Sequence, residues 1–130
     1  MVLDSSSDAV SLFQRLIDAW NAHDLEGYLA CFDPDYDSRW PIHPERDFVG
    51  RENTRERWSH NFETMPDFRV ELLGLAQAAS GEVWIELRWR GTRPDGSRFD
   101  HQGVTINRIT DGRIAAARLY LEPLDDVPQP

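Results

Sequence analysis

Long apolar runs are absent from this 130-residue chain. No stretch approaches the roughly 18 consecutive apolar residues that a membrane-spanning helix needs. The opening MVLDSSSDAV has neither the basic end nor the apolar run of a secretory leader, so a soluble protein that engages no membrane is expected. Cysteine is nearly missing. Cys31 stands alone, no internal disulfide can form, and a reducing cytoplasm suits that usage. Positive charge is scarce as well: 14 basic side chains face 23 acidic ones, for a net charge of −9. Such a surface repels phosphate backbones, so nucleic acid is not expected as a partner. Motifs for metals and nucleophiles are lacking. His23, His43, His60 and His101 show no short ligand spacing with a third partner, and there is no GxSxG, so no metal, no cofactor and no serine triad is expected. Repeats and low-complexity tracts are absent, and the eight prolines and eight glycines are scattered. Length and evenness together predict one domain over 1–130, with flexible ends at 1–7 and 124–130.

What is present reads as three helices followed by a meander. Ser5-Ser6-Ser7 can cap a helix over 9–21, where Val10, Phe13, Ile17 and Trp20 form one stripe and Leu12, Leu16 and Ala19 lie beside it. Asp24 caps a second short helix with Leu25, Tyr28, Leu29 and Phe32 at helical spacing and Cys31 on its buried side. Residues 36–40 read as a short strand. Gly50 opens a third helix over 51–64, with Thr54, Trp58, Asn61 and Phe62 on one side. Past Pro66 the period changes to that of strands, over 68–78, 82–92, 98–109 and 113–122. Ser80-Gly81, Pro94-Asp95-Gly96 and Asp111-Gly112 separate them with turn chemistry.

That order predicts an α+β domain in which three N-terminal helices cover one face of a curved antiparallel sheet, leaving a cone that can hold a cavity. Val83, Ile85, Leu87 and Trp89 alternate with Trp84, Glu86, Arg88 and Arg90, so one face is apolar and the other largely charged. In the last strand Ala117, Leu119 and Leu121 alternate with Arg118, Tyr120 and Glu122. The apolar sets are assigned to the concave face. On the charged face a two-fold axis can set arginines opposite glutamates, and Trp84 and Tyr120 suit an interface, so a homodimer through this face is expected.

The stretch NAHDLEGYLACFDPDYDSRWPIHPERDFVGREN, together with TDGRIAAARLYLEP near the end, resembles the SnoaL-like and ketosteroid isomerase-like branch of the nuclear transport factor 2 (NTF2)-like superfamily. Its most specific parts are Asn21-Ala22-x-Asp24-Leu25, the proline after the short strand, Gly50, and Asp111-Gly112-Arg113-Ile114. The resemblance implies the cystatin-like cone and leaves the chemistry open, because such folds carry isomerases, dehydratases, cyclases, epoxide hydrolases and plain binders. Ketosteroid isomerase chemistry needs a carboxylate base and two acidic donors for the enolate. By this resemblance the base position falls on Trp40, the tyrosine donor on Leu16, and the second donor on Val104 or Thr105. The pocket aspartate of the epoxide hydrolases falls on Leu119. None of these does that work.

The expected pocket lining is Leu16, Trp20, Trp40, Trp58, Val83, Ile85, Leu87, Trp89, Val104 and Ile106, with Asn61 and Gln102 as polar members. Several indoles around one void suit a small, flat, apolar molecule, through burial and aromatic contacts worth about 0.5–1.5 kcal/mol each beyond area. Alternatively the same side chains simply fill the cone. By strand alternation Asp100 and Gln102 share the inward side with Val104, while His101 and Thr105 point away. The acid–base candidates are therefore Asp100, His43 and Tyr36. Two functions follow: an isomerase, cyclase or hydratase acting on an apolar ring or polyketide-like substrate, or a non-catalytic ligand-binding or dimerisation module of the same fold.

Overall fold

The computed structural model describes the backbone of residues 2–124 and the side chains of residues 8–124. Helix α1 (Val2–Asn21) and the short α2 (Leu25–Leu29) lead into β1 (Phe32–Arg39). A single 3-10 turn (Pro44–Arg46), a short β2 (Phe48–Val49) and α3 (Arg51–Thr64) follow, and then β3 (Arg69–Gln77), β4 (Val83–Thr92), β5 (Arg98–Thr110) and β6 (Arg113–Pro123). The expected α+β cone is what forms. Its helix 1 begins earlier than expected, so Ser5 to Ser7 lie within the helix and not at its cap. The flexible ends expected at 1–7 and 124–130 fall outside the described residues, apart from the backbone of 2–7 and Leu124.

Leu12, Phe13, Leu16, Ile17 and Trp20 bury the core stripe of α1, whereas Val10, read as part of it, is 48% exposed. The Asn21-to-Leu25 motif has a mechanical explanation. Asn21 Nδ2 donates to the Val70 carbonyl at 2.9 Å and its Oδ1 accepts from the Val70 N–H at 2.7 Å. One side-chain amide thus stands in for a neighbouring strand on the edge strand β3, whose backbone groups would otherwise lack partners there. Asp24 then caps α2 by accepting from the Gly27 N–H at 3.1 Å. Cys31 is buried just past the end of α2, and burial pushes its thiol up.

The sheet order is β2-β1-β6-β5-β4-β3. All pairings are antiparallel but one: β1 runs parallel to β6, with Ser38 opposite Ala117. An all-antiparallel sheet was the expectation. The difference arises because β1 enters before the meander and docks beside its last strand, after the helix α3 has carried the chain back across. Asp111 and Gly112 both take left-handed backbone (φ 53° and 74°) between the partners Thr110 and Arg113, the two-residue turn expected for an Asp-Gly hairpin.

Gly103 is required by a close approach. A Cβ there would lie 1.9 Å from the Tyr120 carbonyl oxygen and 2.8 Å from Leu121 Cα. At this point β5 and β6 are pressed together, backbone on backbone.

Candidate functional site

Helices and concave sheet enclose a cavity of about 300 Å³. Strand pairing decides which side chains face it. Ile85 lies opposite Thr105, and Leu87 opposite Gly103. Thr105 in turn lies opposite Leu119, and Asn107 opposite Ala117. Inward positions on β4, β5 and β6 are therefore the odd-numbered ones up to the register shift at Arg108/Ile109, beyond which Ile114 of β6 lines the cavity, and β1 adds Tyr36 and Ser38. The helices supply Leu16, Trp20, Tyr28, Thr54, Trp58 and Asn61, while Trp40 and Phe48 come from around the 3-10 turn.

Aromatic rings make the walls. Trp20, Trp58 and Trp89 form a triangle with centroids 5.1, 5.4 and 5.6 Å apart, each pair packed edge to face. Tyr28, Phe32 and Tyr36 continue the series at 5.0 and 4.6 Å. These tilted geometries are the favourable ones for aromatic quadrupoles, so the walls are stiff as well as apolar. Trp40 is fixed from two sides: its backbone N–H donates to Asp47 Oδ1 at 2.6 Å, and the Arg46 guanidinium lies 5.0 Å over its ring. At the rim Arg57 and His60 are exposed, and the Arg57 guanidinium stacks 4.4 Å from the Phe48 ring.

The polar groups in this cavity are mainly hydroxyls and carboxamides. Burial pushes the Tyr36 hydroxyl up to about 12, against the opposing pull of a hydrogen bond with Ser38. Burial also raises Tyr28 well above the ordinary phenol range. Both phenols are thus neutral at pH 7 and available as acids, not as bases. Asn107 commits its amide nitrogen to the Val83 and Thr105 carbonyls at 3.2 and 3.3 Å and to Thr105 Oγ1 at 2.9 Å, which leaves the Thr105 hydroxyl proton free to donate. Among the described residues, no aspartate or glutamate lines the cavity.

Of the residues singled out in the sequence, the structure brings Leu16, Trp20, Tyr36, Trp40, Trp58, Asn61, Ile85, Leu87 and Trp89 together around the cavity. Val83 faces inward but lies beyond it, beside Leu12 in a second depression. Gln102, Val104 and Ile106 point the other way. Their register partners Arg88, Glu86 and Trp84 are on the convex face, so the inward parity assumed for β5 is reversed. Thr105 and Asn107, which that parity excluded, are the inward residues.

Asp100 goes outward with the same set. It is buried on the convex face under Arg88, which donates to its two oxygens at 3.0 and 2.8 Å and holds its carboxyl below the ordinary aspartate range. His43 is also drawn away, its Nε2 2.6 Å from Glu122 Oε1 on the convex side. Among the three acid–base candidates only Tyr36 lines the cavity.

The Asp100 pair has a pH signature. Because the folded value is depressed, its stabilisation is present above the unfolded aspartate range and is lost as pH falls through the folded value. Asp100→Asn is expected to cost about 2 kcal/mol at pH 7, with the gap from wild type closing below about pH 4. Urea unfolding of both proteins at pH 7 and pH 3 reads this; an unchanged gap at pH 3 would contradict it.

Comparison with known proteins places this architecture. A protein from a soil-derived mobile gene cassette shares 20% identity, with a TM-score of 0.77 over 90% of this chain and 91% of that one. A proposed polyketide cyclase from Streptomyces antibioticus shares 22%, with a TM-score of 0.71 over 87% and 91%. A Mycobacterium tuberculosis protein, solved in complex with estradiol-17beta-hemisuccinate, shares 21%, with a TM-score of 0.75 over 91% and 95%. Identities this low carry the fold alone. No curated protein matches the chain by sequence. The family profile of the SnoaL-like domain matches residues 13–117, from the buried Phe13 of α1 to Ala117 on the cavity wall. The chain belongs to the SnoaL-like domain family.

Proposed function

We propose that this chain is a small-molecule pocket protein whose cone takes a flat, apolar, ring-bearing ligand of polyketide-like type and acts on it as an isomerase, cyclase or hydratase. The carrying observation is the cavity of about 300 Å³ walled by indoles and phenols. That volume is at the small end of ligand pockets and suits two or three fused rings. The estradiol derivative held by the mycobacterial neighbour, and the cyclase assignment of the Streptomyces one, support a ligand of this shape. With Trp40 and Leu16 at the positions where a ketosteroid isomerase carries its base and tyrosine donor, and Thr105 rather than the outward Val104 the cavity-facing choice for its second donor, a carboxylate-driven proton shuttle is not the mechanism. Chemistry here relies on donors that polarise a carbonyl, with Tyr36 as the acid. The missing carboxylate also favours a second reading, a binding module that performs no reaction. A cytoplasmic location suits the single buried thiol.

Trp40 separates an open cavity from a filled core. Tetralin, a bicyclic hydrocarbon, is expected to change the tryptophan emission of the wild type saturably. Trp40→Ala should bind it about tenfold less well while losing less than ~3 kcal/mol, since one face of this indole meets the void. A loss of 3–5 kcal/mol in thermal unfolding, with no saturable binding to the wild type, would sink the pocket reading.

We also propose a homodimer formed through the convex face of the sheet. The charges expected to meet across a two-fold axis are instead paired within one chain, Arg88 with Asp100 and Arg118 with Glu82 at 2.8 and 2.9 Å. What they surround is apolar: Trp84 is 44% exposed, with Ile106, Val104 and Tyr120 beside it across the register. An apolar centre with a satisfied polar rim is how a self-complementary interface is built.

A further inference from the structure

Asn107 stands on the sheet side of the cavity with its amide half used. Its Nδ2 is held by the Val83 and Thr105 carbonyls and by Thr105 Oγ1. An amide nitrogen has two protons to give, so the nitrogen is fully engaged and the side chain cannot turn over without losing all of these bonds. Among the described residues nothing donates to Oδ1. The oxygen is not sealed off either. Asn107 is 4% exposed, and the unpartnered atoms of this wall that lack accessible surface are Trp20 Nε1, Thr54 Oγ1 and Trp89 Nε1, with Asn107 Oδ1 not among them. Strand register leaves room beside the amide. Asn107 lies opposite Ala117 on β6, and Ala117 opposite Ser38 on β1, so only a methyl group separates the amide from the next polar side chain. All three residues border this cavity, and none borders the second depression.

Folded interiors leave few acceptors without a donor, because an unpaired one forfeits its bond to water. We propose that Asn107 Oδ1 accepts a hydroxyl of the ligand, so that the molecule held in this cone is a ring-bearing phenol, enol or alcohol. This rests on the cavity being the small-molecule site proposed above. On a polyketide-like ring the group able to donate is a hydroxyl. The donor is neutral, since among the described residues no carboxylate lines the cavity and the exposed Arg57 at its rim is itself positive, so an ammonium would enter uncompensated. The bonds to Val83 and Thr105 fix where the oxygen stands. Asn107 therefore selects by position as well as by chemistry: apolar walls set the plane of the ring, and one hydrogen bond sets which edge of it meets the sheet.

Naphthalene and 2-naphthol share a ring frame and differ by one hydroxyl. Water holds the hydroxyl more firmly than the bare ring, so a purely apolar cavity takes naphthalene at least as tightly. An acceptor for the hydroxyl reverses that order, because naphthalene would leave Oδ1 dry and unpaired. Calorimetric titration of both compounds into the wild type is expected to show 2-naphthol about tenfold tighter, a comparison that needs no variant to fold. Asn107→Leu keeps the size of the side chain and removes the acceptor. In that variant naphthalene should bind at least as tightly as 2-naphthol. Naphthalene at least as tight on the wild type, or an undiminished preference for 2-naphthol in Asn107→Leu, would overturn the assignment and leave the cavity as a binding site. Binding of neither compound to the wild type would overturn the pocket reading as well.

Discussion

Gly103→Ala should cost at least ~3 kcal/mol, among the largest effects of any single methyl group in this chain. The added carbon would meet the Tyr120 carbonyl oxygen at 1.9 Å and Leu121 Cα at 2.8 Å, both backbone atoms that no rotamer change can move aside. Relief requires β5 and β6 to separate, which strains the ladder from Gln102↔Glu122 to Thr105↔Leu119 and shifts Leu119 in the cavity wall. In urea the midpoint should fall with the slope unchanged, since the surface exposed on unfolding is the same. Gly74→Ala is the control: its added carbon meets nothing within 4 Å, and a change within about 0.5 kcal/mol is expected. Similar midpoints for the two variants would mean that β5 and β6 are not pressed together at Gly103.

Trp84→Glu should convert the proposed homodimer to monomer. An isologous interface counts each substitution twice. Losing a buried indole costs about 2 kcal/mol or more per copy, so the dissociation constant should rise by roughly a thousandfold. The glutamates would also stand among Glu86 and Glu82 of the same face, adding repulsion. Sedimentation of the wild type at micromolar concentration is expected to give a dimer, and of Trp84→Glu a folded monomer whose thermal midpoint no longer depends on protein concentration. A monomeric wild type would end the proposal, and an unmoved dimer would put the interface elsewhere.

The sequence made the elements legible wherever local chemistry acts alone. Asp24 reads as a cap because a carboxylate three residues ahead of a free N–H can do little else, and the Asp111-Gly112 turn reads as a hairpin because few residue pairs tolerate two left-handed positions. The face of β5 was not legible. Val104 and Ile106 are the apolar residues of its middle, and the rule of apolar inside turns them toward the helices. In the fold both faces of β5 are covered: the concave one by the helices, the convex one by Trp84 and Arg118 flanking Ile106, which is 6% exposed. Hydrophobicity does not discriminate between two covered faces. Parity carried across the 93–97 loop from Trp89 would have done so, but it depends on the loop closing from Arg93 N–H to the Ser97 carbonyl, with Thr92 opposite Arg98. That single reversal moved Asp100 and Gln102 out of the site and hid Thr105 and Asn107. Thr54 and Ser38 went unassigned as cavity donors because a small hydroxyl carries no signal of burial in sequence, although each is 2% exposed.

The parallel pairing of β1 with β6 also orders events in time. Strand β1 lies between β2 and β6, so its main sheet neighbour is the last strand to be made. Until residues 113–123 have left the ribosome, Phe32 and Tyr36 have no completed sheet to complement and the aromatic wall stays open to water. Joining ends about eighty residues apart in sequence adds loop-closure entropy that local hairpins do not pay. The meander is therefore the part that can assemble first, and the helical layer, though translated earlier, closes last. A nascent chain stalled before β6 should accordingly be the species that chaperones hold, since its apolar helix stripe is complete and its docking surface does not yet exist.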